Sequence, residues 1–247
     1  MKVLPPSTAP LQEPHGRRHQ PPAAKRKRGY ESYRECLRWE FGFTCAFCLL
    51  HEHDVLPEGG DGWGVWTIEH FVLQSDEPAH ANAYSNCYWC CRRCNLSRDQ
   101  RPIESTRGQL LDPCRHAWSD RFRLDDDQLK PRYPDDRDAH RTWSVYQLDD
   151  PGKVIRRKKR REALSEAIAL WREVGDTRAD LSSDDPSFFE NERATRRLRR
   201  LALAVLLRYR AIPDSSVIPC ECGGEDCRLP EGLEEQCIEL PDATEPS

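Results

Sequence analysis

Apolar positions are distributed unevenly along the chain, and their spacing changes several times. Residues 1–29 hold Pro, Gln, Arg and Lys without an apolar period, so they cannot offset the entropy of ordering and read as a disordered basic arm. From Tyr30 the pattern becomes structured. In "YESYRECLRWEFGFTC" the positions Tyr33, Leu37 and Trp39 to Phe41 predict a short helix. "VWTIEHFV", residues 65–72, is a β-type run ending near Glu69 and His70; a Gly-rich loop precedes it and a polar loop from Gln74 to Ser85 follows. The basic end of "NCYWCCRRCNLSRDQRP" reads as a helix stopped at Pro102. From Ile103 to Gly152 the chain suggests loops with strand-like pieces such as "TWSVYQL". Residues 153–175 then place Leu164, Ile168, Trp171 and Val174 at helical spacing, and residues 190–210 do the same with Leu198, Leu201 and Val205. No internal repeat is visible. The expectation is an α+β protein with the arm at 1–29, a core at 30–122, a loop-rich and then helical region at 123–212, and an acidic Cys-containing tail at 213–247.

Hydrophobic residues make up 37% and charged residues 32%, enough for a core surrounded by long solvated stretches. No apolar run is long enough to span a bilayer, and "MKVLPPSTAP" lacks a continuous apolar signal segment, so the expected location is the cytoplasm and no membrane partner is expected. In that reducing setting twelve cysteines point to metal ligation rather than a disulfide framework. The net charge of −4 conceals segregation: "KRKR" stands at 25–28, "RRKKRR" at 156–161, and acids dominate beyond Ile212. Such a pattern permits a polyanionic partner.

The cysteines are concentrated. "CAFC" supplies Cys45 and Cys48, and "YSNCYWCCRRCN" supplies Cys91 and Cys94. Two C-x-x-C turns can provide the four thiolates of a tetrahedral structural zinc, a closed site with no position left for water. Cys87 and Cys90 share the C-x-x-C spacing, so spacing alone leaves the second pair open. Chemistry must lie outside such a site. Glu69-His70 at a strand end, with Asn86 and Asn95 flanking the second pair, are the candidates: a carboxylate for a hard cation, an imidazole for proton transfer, and carboxamides to ligate or orient.

The order C-x-x-C, then E-H after a hydrophobic strand, then N-x4-C-x-x-C-N followed by basic residues resembles the HNH endonuclease family and its ββα-metal site, over about Phe43 to Arg101. In that family the middle Asn stands five residues before the second knuckle, as Asn86 stands before Cys91. The resemblance therefore selects Cys45, Cys48, Cys91 and Cys94 for zinc and leaves Cys87 and Cys90 as packing thiols. It implies His70 as the base that deprotonates water, Glu69 and Asn95 as ligands of a catalytic Mg²⁺ or Mn²⁺, and Asn86 as the residue that positions the hairpin loop and orients the histidine. The implied reaction is hydrolysis of DNA, with RNA also compatible, leaving 5′-phosphate and 3′-hydroxyl ends. The alternative is an inactive zinc module that recognises nucleic acid or protein.

Two features depart from the family pattern. The longer insert after the first knuckle carries His51 and His53, which read as a solvated loop, and Glu69 stands where Asp is commoner, implying an altered metal preference. Arg92, Arg93, Arg98 and Arg101, beside the predicted metal-bearing helix, are candidate phosphate contacts, and "RRKKRR" could extend that footprint. Cys220, Cys222, Cys227 and Cys237 offer a second zinc set, although their irregular spacing suits reduced cysteines better. "GQLLDPCRHAWSDRF" is similar to a segment of bacterial anti-phage HNH proteins that act alongside an ATPase, which would make such an ATPase a partner.

Overall fold

The computed structural model describes Arg17, residues 19–21, 29–55, 66–99 and 108–179, and single positions at 194, 197, 198, 201 and 205. Over these residues the chain is mixed α and β, with two small antiparallel sheets. Helix α1, Arg34–Glu40, leads into the first cysteine turn. Strands β1, Trp66–His70, and β2, Cys87–Cys91, pair antiparallel with Trp66 opposite Cys91 and His70 opposite Cys87. Helix α2, Arg92–Asp99, follows β2 with no intervening loop. A short helix α3, Trp118–Arg121, enters a second hairpin of β3, Phe122–Asp125, and β4, Gln128–Pro131. Helix α4 spans Arg137–Val145 and helix α5 spans Pro151–Ala179.

One apolar cluster joins these pieces. Leu37, Phe41, Phe47, Tyr88, Trp89, Leu111, Phe122, Leu129, Tyr146 and Leu148 are all buried in it. Every residue of β2 is buried, because α1 lies on one side of the hairpin while α2 and the stacked Phe47 and Tyr146 rings, 4.0 Å apart, close on the other residues of the core. The first cysteine turn is a tight knuckle: Leu49 donates its amide to the Cys45 carbonyl at 3.0 Å, Cys45 to Leu50 at 2.8 Å, and Ala46 to Trp89 on β2 at 2.9 Å. Leu49 holds φ +62°, a left-handed conformation that the knuckle's closing bonds and complete burial of its neighbours stabilise.

Three expectations change. "TWSVYQL" is helix and turn rather than strand, because Asp136 caps α4 by accepting the Ala139 amide at 3.0 Å and starts a helical register that runs through Val145. The strands of the stretch read as loops with strand-like pieces are instead those of the β3–β4 hairpin; Asp126 and Asp127, at φ +47° and +64°, form its turn, which favours short polar residues able to enter the left-handed region. The arm at 1–29 is not wholly without packing, since Arg17 and His19 sit against the core. The second helix read at 190–210 and the tail cysteines Cys220, Cys222, Cys227 and Cys237 lie outside the described residues, apart from the five single positions. Among the described residues no helix is long and apolar enough to cross a membrane.

Candidate metal centre and adjoining polar site

The two knuckles meet. The sulfur atoms of Cys45, Cys48, Cys91 and Cys94 lie within 4.8 Å of one another and all four side chains are buried. Four thiolates about 2.3 Å from a tetrahedral centre stand about 3.8 Å apart, and Cys48 Sγ is 3.7 Å from Cys91 Sγ. The cluster could hold a metal ion, and its geometry is consistent with zinc. Cys87 and Cys90 fall outside this set of four. Both are buried; Cys90 donates to the Cys91 carbonyl at 3.3 Å, and burial pushes the Cys87 thiol up to about 12.

Without a cation the thiols compete. Burial would raise Cys45 and Cys94, yet hydrogen bonds from neighbouring thiols, Cys90 and Cys91 among them, bring both well below the ordinary thiol range. Cys91 is pushed well above that range, first by its hydrogen bonds to Cys45, Cys48 and Cys94 and then by burial. Four adjacent thiolates cannot all ionise unaided, and a divalent cation at their centre removes the conflict.

Helix α5 contributes two cations to this centre. Lys153 is 1% exposed and Arg157 is 3% exposed. Lys153 Nζ donates to the Tyr146 carbonyl, whose oxygen lies 3.9 Å from Cys94 Sγ. Arg157 donates to the Cys48 carbonyl at 3.1 Å, to Leu148 at 2.9 Å and to Asp127 at 2.7 Å. A divalent cation with four thiolates carries two negative charges, and these two side chains match them. Two further members of "RRKKRR" also serve the fold: Arg160 pairs with Asp54 at 2.7 Å and Arg161 with Asp127 at 2.9 Å. The signal was present in the sequence, since Lys153, Arg157 and Arg160 fall on the same helical stripe as Leu164 and Ala167, which are buried.

Beside the metal centre, Glu69, His70, Asn86 and Asn95 form two groups. Residues two apart on a strand share a face, so Thr67 and Glu69 look the same way. Asn95 Nδ2 donates to Thr67 Oγ1 at 3.3 Å and Arg98 Nη1 donates to Glu69 Oε1 at 2.7 Å, which lays α2 over that face. Glu69 is 2% exposed. Arg98 also reaches the carbonyls of His70, at 3.0 Å, and Phe71, and meets the Tyr146 hydroxyl at 3.3 Å. It therefore turns inward and locks α2 to β1, whereas Arg92 and Arg93 are exposed. Arg101 is outside the described residues, and no local pattern marked Arg98 as the partner of Glu69, 29 positions away.

Strand alternation sends His70 the other way. Its Nε2 lies 2.9 Å from the Ala81 carbonyl, which can only accept, so Nε2 carries the proton and Nδ1 holds the lone pair. Burial, opposed by the Ala81 hydrogen bond and assisted by the Arg98 charge, lowers His70 below its ordinary 6.5. Tyr30 packs edge-on against the imidazole at 4.4 Å, and the Gln74 amide nitrogen is 3.0 Å from Nε2 and 3.3 Å from Nδ1. Asn86 staples the same loop: its Oδ1 accepts the Val72 amide at 2.7 Å, and its Nδ2 donates to the carbonyls of Val72 at 2.9 Å and His80 at 3.3 Å. The histidines of the insert are not in a solvated loop: His51 is buried and bridges backbone to Thr44, and the rings of His51 and His53 stack at 5.4 Å.

No family model, no curated protein and no solved structure matches this chain.

Proposed function

We propose that this chain is a metal-dependent endonuclease of the HNH type, hydrolysing phosphodiester bonds in DNA. The observation that carries the reading is the strand–strand–helix unit in which Glu69 and His70 end β1, Asn86 precedes β2 and Asn95 rides on α2, fastened at its base by the four-cysteine cluster. A carboxylate and a carboxamide oxygen suit Mg²⁺ or Mn²⁺, with water and phosphate completing the shell. Glu69 and Asn95 would hold it, and the carboxylate, already bound by Arg98 through Oε1, shares its charge between guanidinium and cation. When bound, the cation supplies charge stabilisation for the phosphate and the leaving 3′ oxygen.

The remaining roles fall to the chain. Because Glu69 and His70 face opposite ways from β1, the phosphate would have to lie across the end of the strand to be reached from both sides. His70, neutral and held at Nε2 by Ala81, accepts a proton from water at Nδ1 once Gln74 yields that edge of the ring. Asn86 fixes the loop that carries Ala81 and so fixes the imidazole. Arg92 and Arg93 offer exposed cations for backbone phosphates.

One observation favours a second reading. The buried Glu69–Arg98 pair is complete without a metal, which suits a zinc-stabilised recognition module that binds nucleic acid or protein without cutting. Incubating labelled single- and double-stranded DNA with wild type and His70→Ala, each loaded with zinc, separates the two. The nuclease reading predicts cutting that requires Mg²⁺ or Mn²⁺ and disappears in the variant while DNA binding persists. Binding without cutting by both proteins supports the module.

A further inference from the structure

We propose that Glu40, Phe41, Tyr84 and Tyr88 form an arginine-recognition pocket whose ligand is Arg17 of the same chain, and that the docked guanidinium clamps the turn carrying Asn86. The inference does not depend on the nuclease reading. Arg17 lies in sequence within a stretch whose composition offers no core, yet both terminal nitrogens of its guanidinium are hydrogen-bonded and its plane lies among three aromatic rings. Nη1 is 3.1 Å from Glu40 Oε2, and Nη2 donates to the carbonyls of Cys87 at 2.8 Å and Ser85 at 3.3 Å. The guanidinium carbon stands 4.5 Å from the Tyr88 ring centre, 5.2 Å from Phe41 and 5.3 Å from Tyr84. The Glu40 side chain is 1% exposed; it also accepts the Tyr84 hydroxyl at 2.6 Å and the His19 amide at 3.1 Å.

This combination selects arginine. A planar fork can meet a carboxylate and two carbonyls while lying against aromatic rings, whereas a lysine ammonium is a single point charge. A buried carboxylate such as Glu40 needs a cation, and the chain supplies one from outside the strand–strand–helix unit. The carbonyls it binds belong to the residues on either side of Asn86, whose own carbonyl accepts the Phe71 amide at 3.0 Å. Docking of Arg17 thus braces the loop from both flanks, and the arm acts on the Asn86 turn at a distance along the sequence.

The test uses full-length protein and a fluorescent peptide of residues 13–21 added in trans. Arg17→Ala empties the pocket and is expected to bind the peptide saturably. Wild type is expected to bind it at least about tenfold more weakly, because a tethered ligand competes at an effective concentration near the millimolar range. A peptide carrying Lys in place of Arg17 is expected to fail. Equal binding of the Lys and Arg peptides, or no uptake by a folded Arg17→Ala chain, overturns the proposal. If Arg17→Ala does not fold, Arg17→Lys in the full chain carries the test through hydrogen exchange at the His19 amide. Exchange faster than wild type is expected; unchanged exchange overturns the proposal.

Discussion

Lys153→Met isolates the electrostatic part of the metal centre. Methionine keeps most of the length and apolar contact of the lysine stem while removing the charge that sits against the four cysteines. Lys153 is 1% exposed, and its ammonium donates to the Tyr146 carbonyl beside Cys94 and to the Gln147 carbonyl at 3.2 Å. With a divalent cation bound to four thiolates, Lys153 and Arg157 balance two buried negative charges; without Lys153 one remains. Loss of an outer-shell partner typically weakens metal binding by about 10- to 100-fold, which corresponds to about 1.4–2.8 kcal/mol. Zinc affinity measured by competition with a chromophoric chelator at neutral pH should fall by that factor. Thermal unfolding adds a signature that simple loss of packing lacks. The variant should lose more stability in the zinc-loaded protein than after chelation, because protonated thiols no longer need the counter-charge. Wild-type zinc affinity in Lys153→Met, or an equal loss of stability in both states, would refute the reasoning.

The other predictions concern the fold and the adjoining site. Cys91→Ser should release zinc and destabilise the core, seen as loss of bound metal by elemental analysis together with a cooperative melt at lower temperature; chelation of wild type should lower the melt likewise without abolishing it. Arg98→Met leaves Glu69 buried without its cation and should cost about 3–5 kcal/mol in denaturant unfolding, as expected for breaking a buried pair. His70→Ala should keep the wild-type zinc content and circular dichroism while abolishing cleavage. The acid limb of the wild-type rate profile should lie below the ordinary histidine value of 6.5, since the folded protein favours the neutral ring. The matching stability term is fully present above the unfolded value and is lost as pH falls from there through the folded one.

Several parts of this structure were legible in the sequence because they are local. The C-x-x-C turns, the apolar run at 65–72 and the 3.6-residue stripe of α5 each depend on neighbours a few positions away, and Cys45, Cys48, Cys91 and Cys94 do meet, although spacing alone left Cys87 and Cys90 open as the second pair. What could not be read there depends on contacts between distant segments. Arg98 was a phosphate candidate by charge alone; its inward turn follows from Glu69, 29 positions earlier, and from Tyr146 on the far side of the core. "RRKKRR" looked like a solvated or polyanion-binding run; the stripe shared with Leu164 marks Arg157 and Arg160 as its inward members, but what they pair with, the knuckle carbonyls and Asp54 and Asp127, comes from distant segments. Arg17 is the extreme case, because its pocket is assembled from α1 and the approach to β2. The β3–β4 hairpin carries a local signal of its own, two aspartates at the turn flanked by alternating Phe122, Leu124 and Leu129.

The most direct test of the central claim follows the oxygen atom. Zinc-loaded wild-type protein is incubated with DNA and Mn²⁺ in water enriched in the heavy oxygen isotope, and the product ends are weighed by mass spectrometry. Hydrolysis by a His70-activated water predicts the isotope in a new 5′-phosphate, a free 3′-hydroxyl on the other fragment, and no product with chelator or with His70→Ala. Folded wild-type protein that binds DNA yet leaves it whole under these conditions, or that places the label in a 3′-phosphate, would contradict the account.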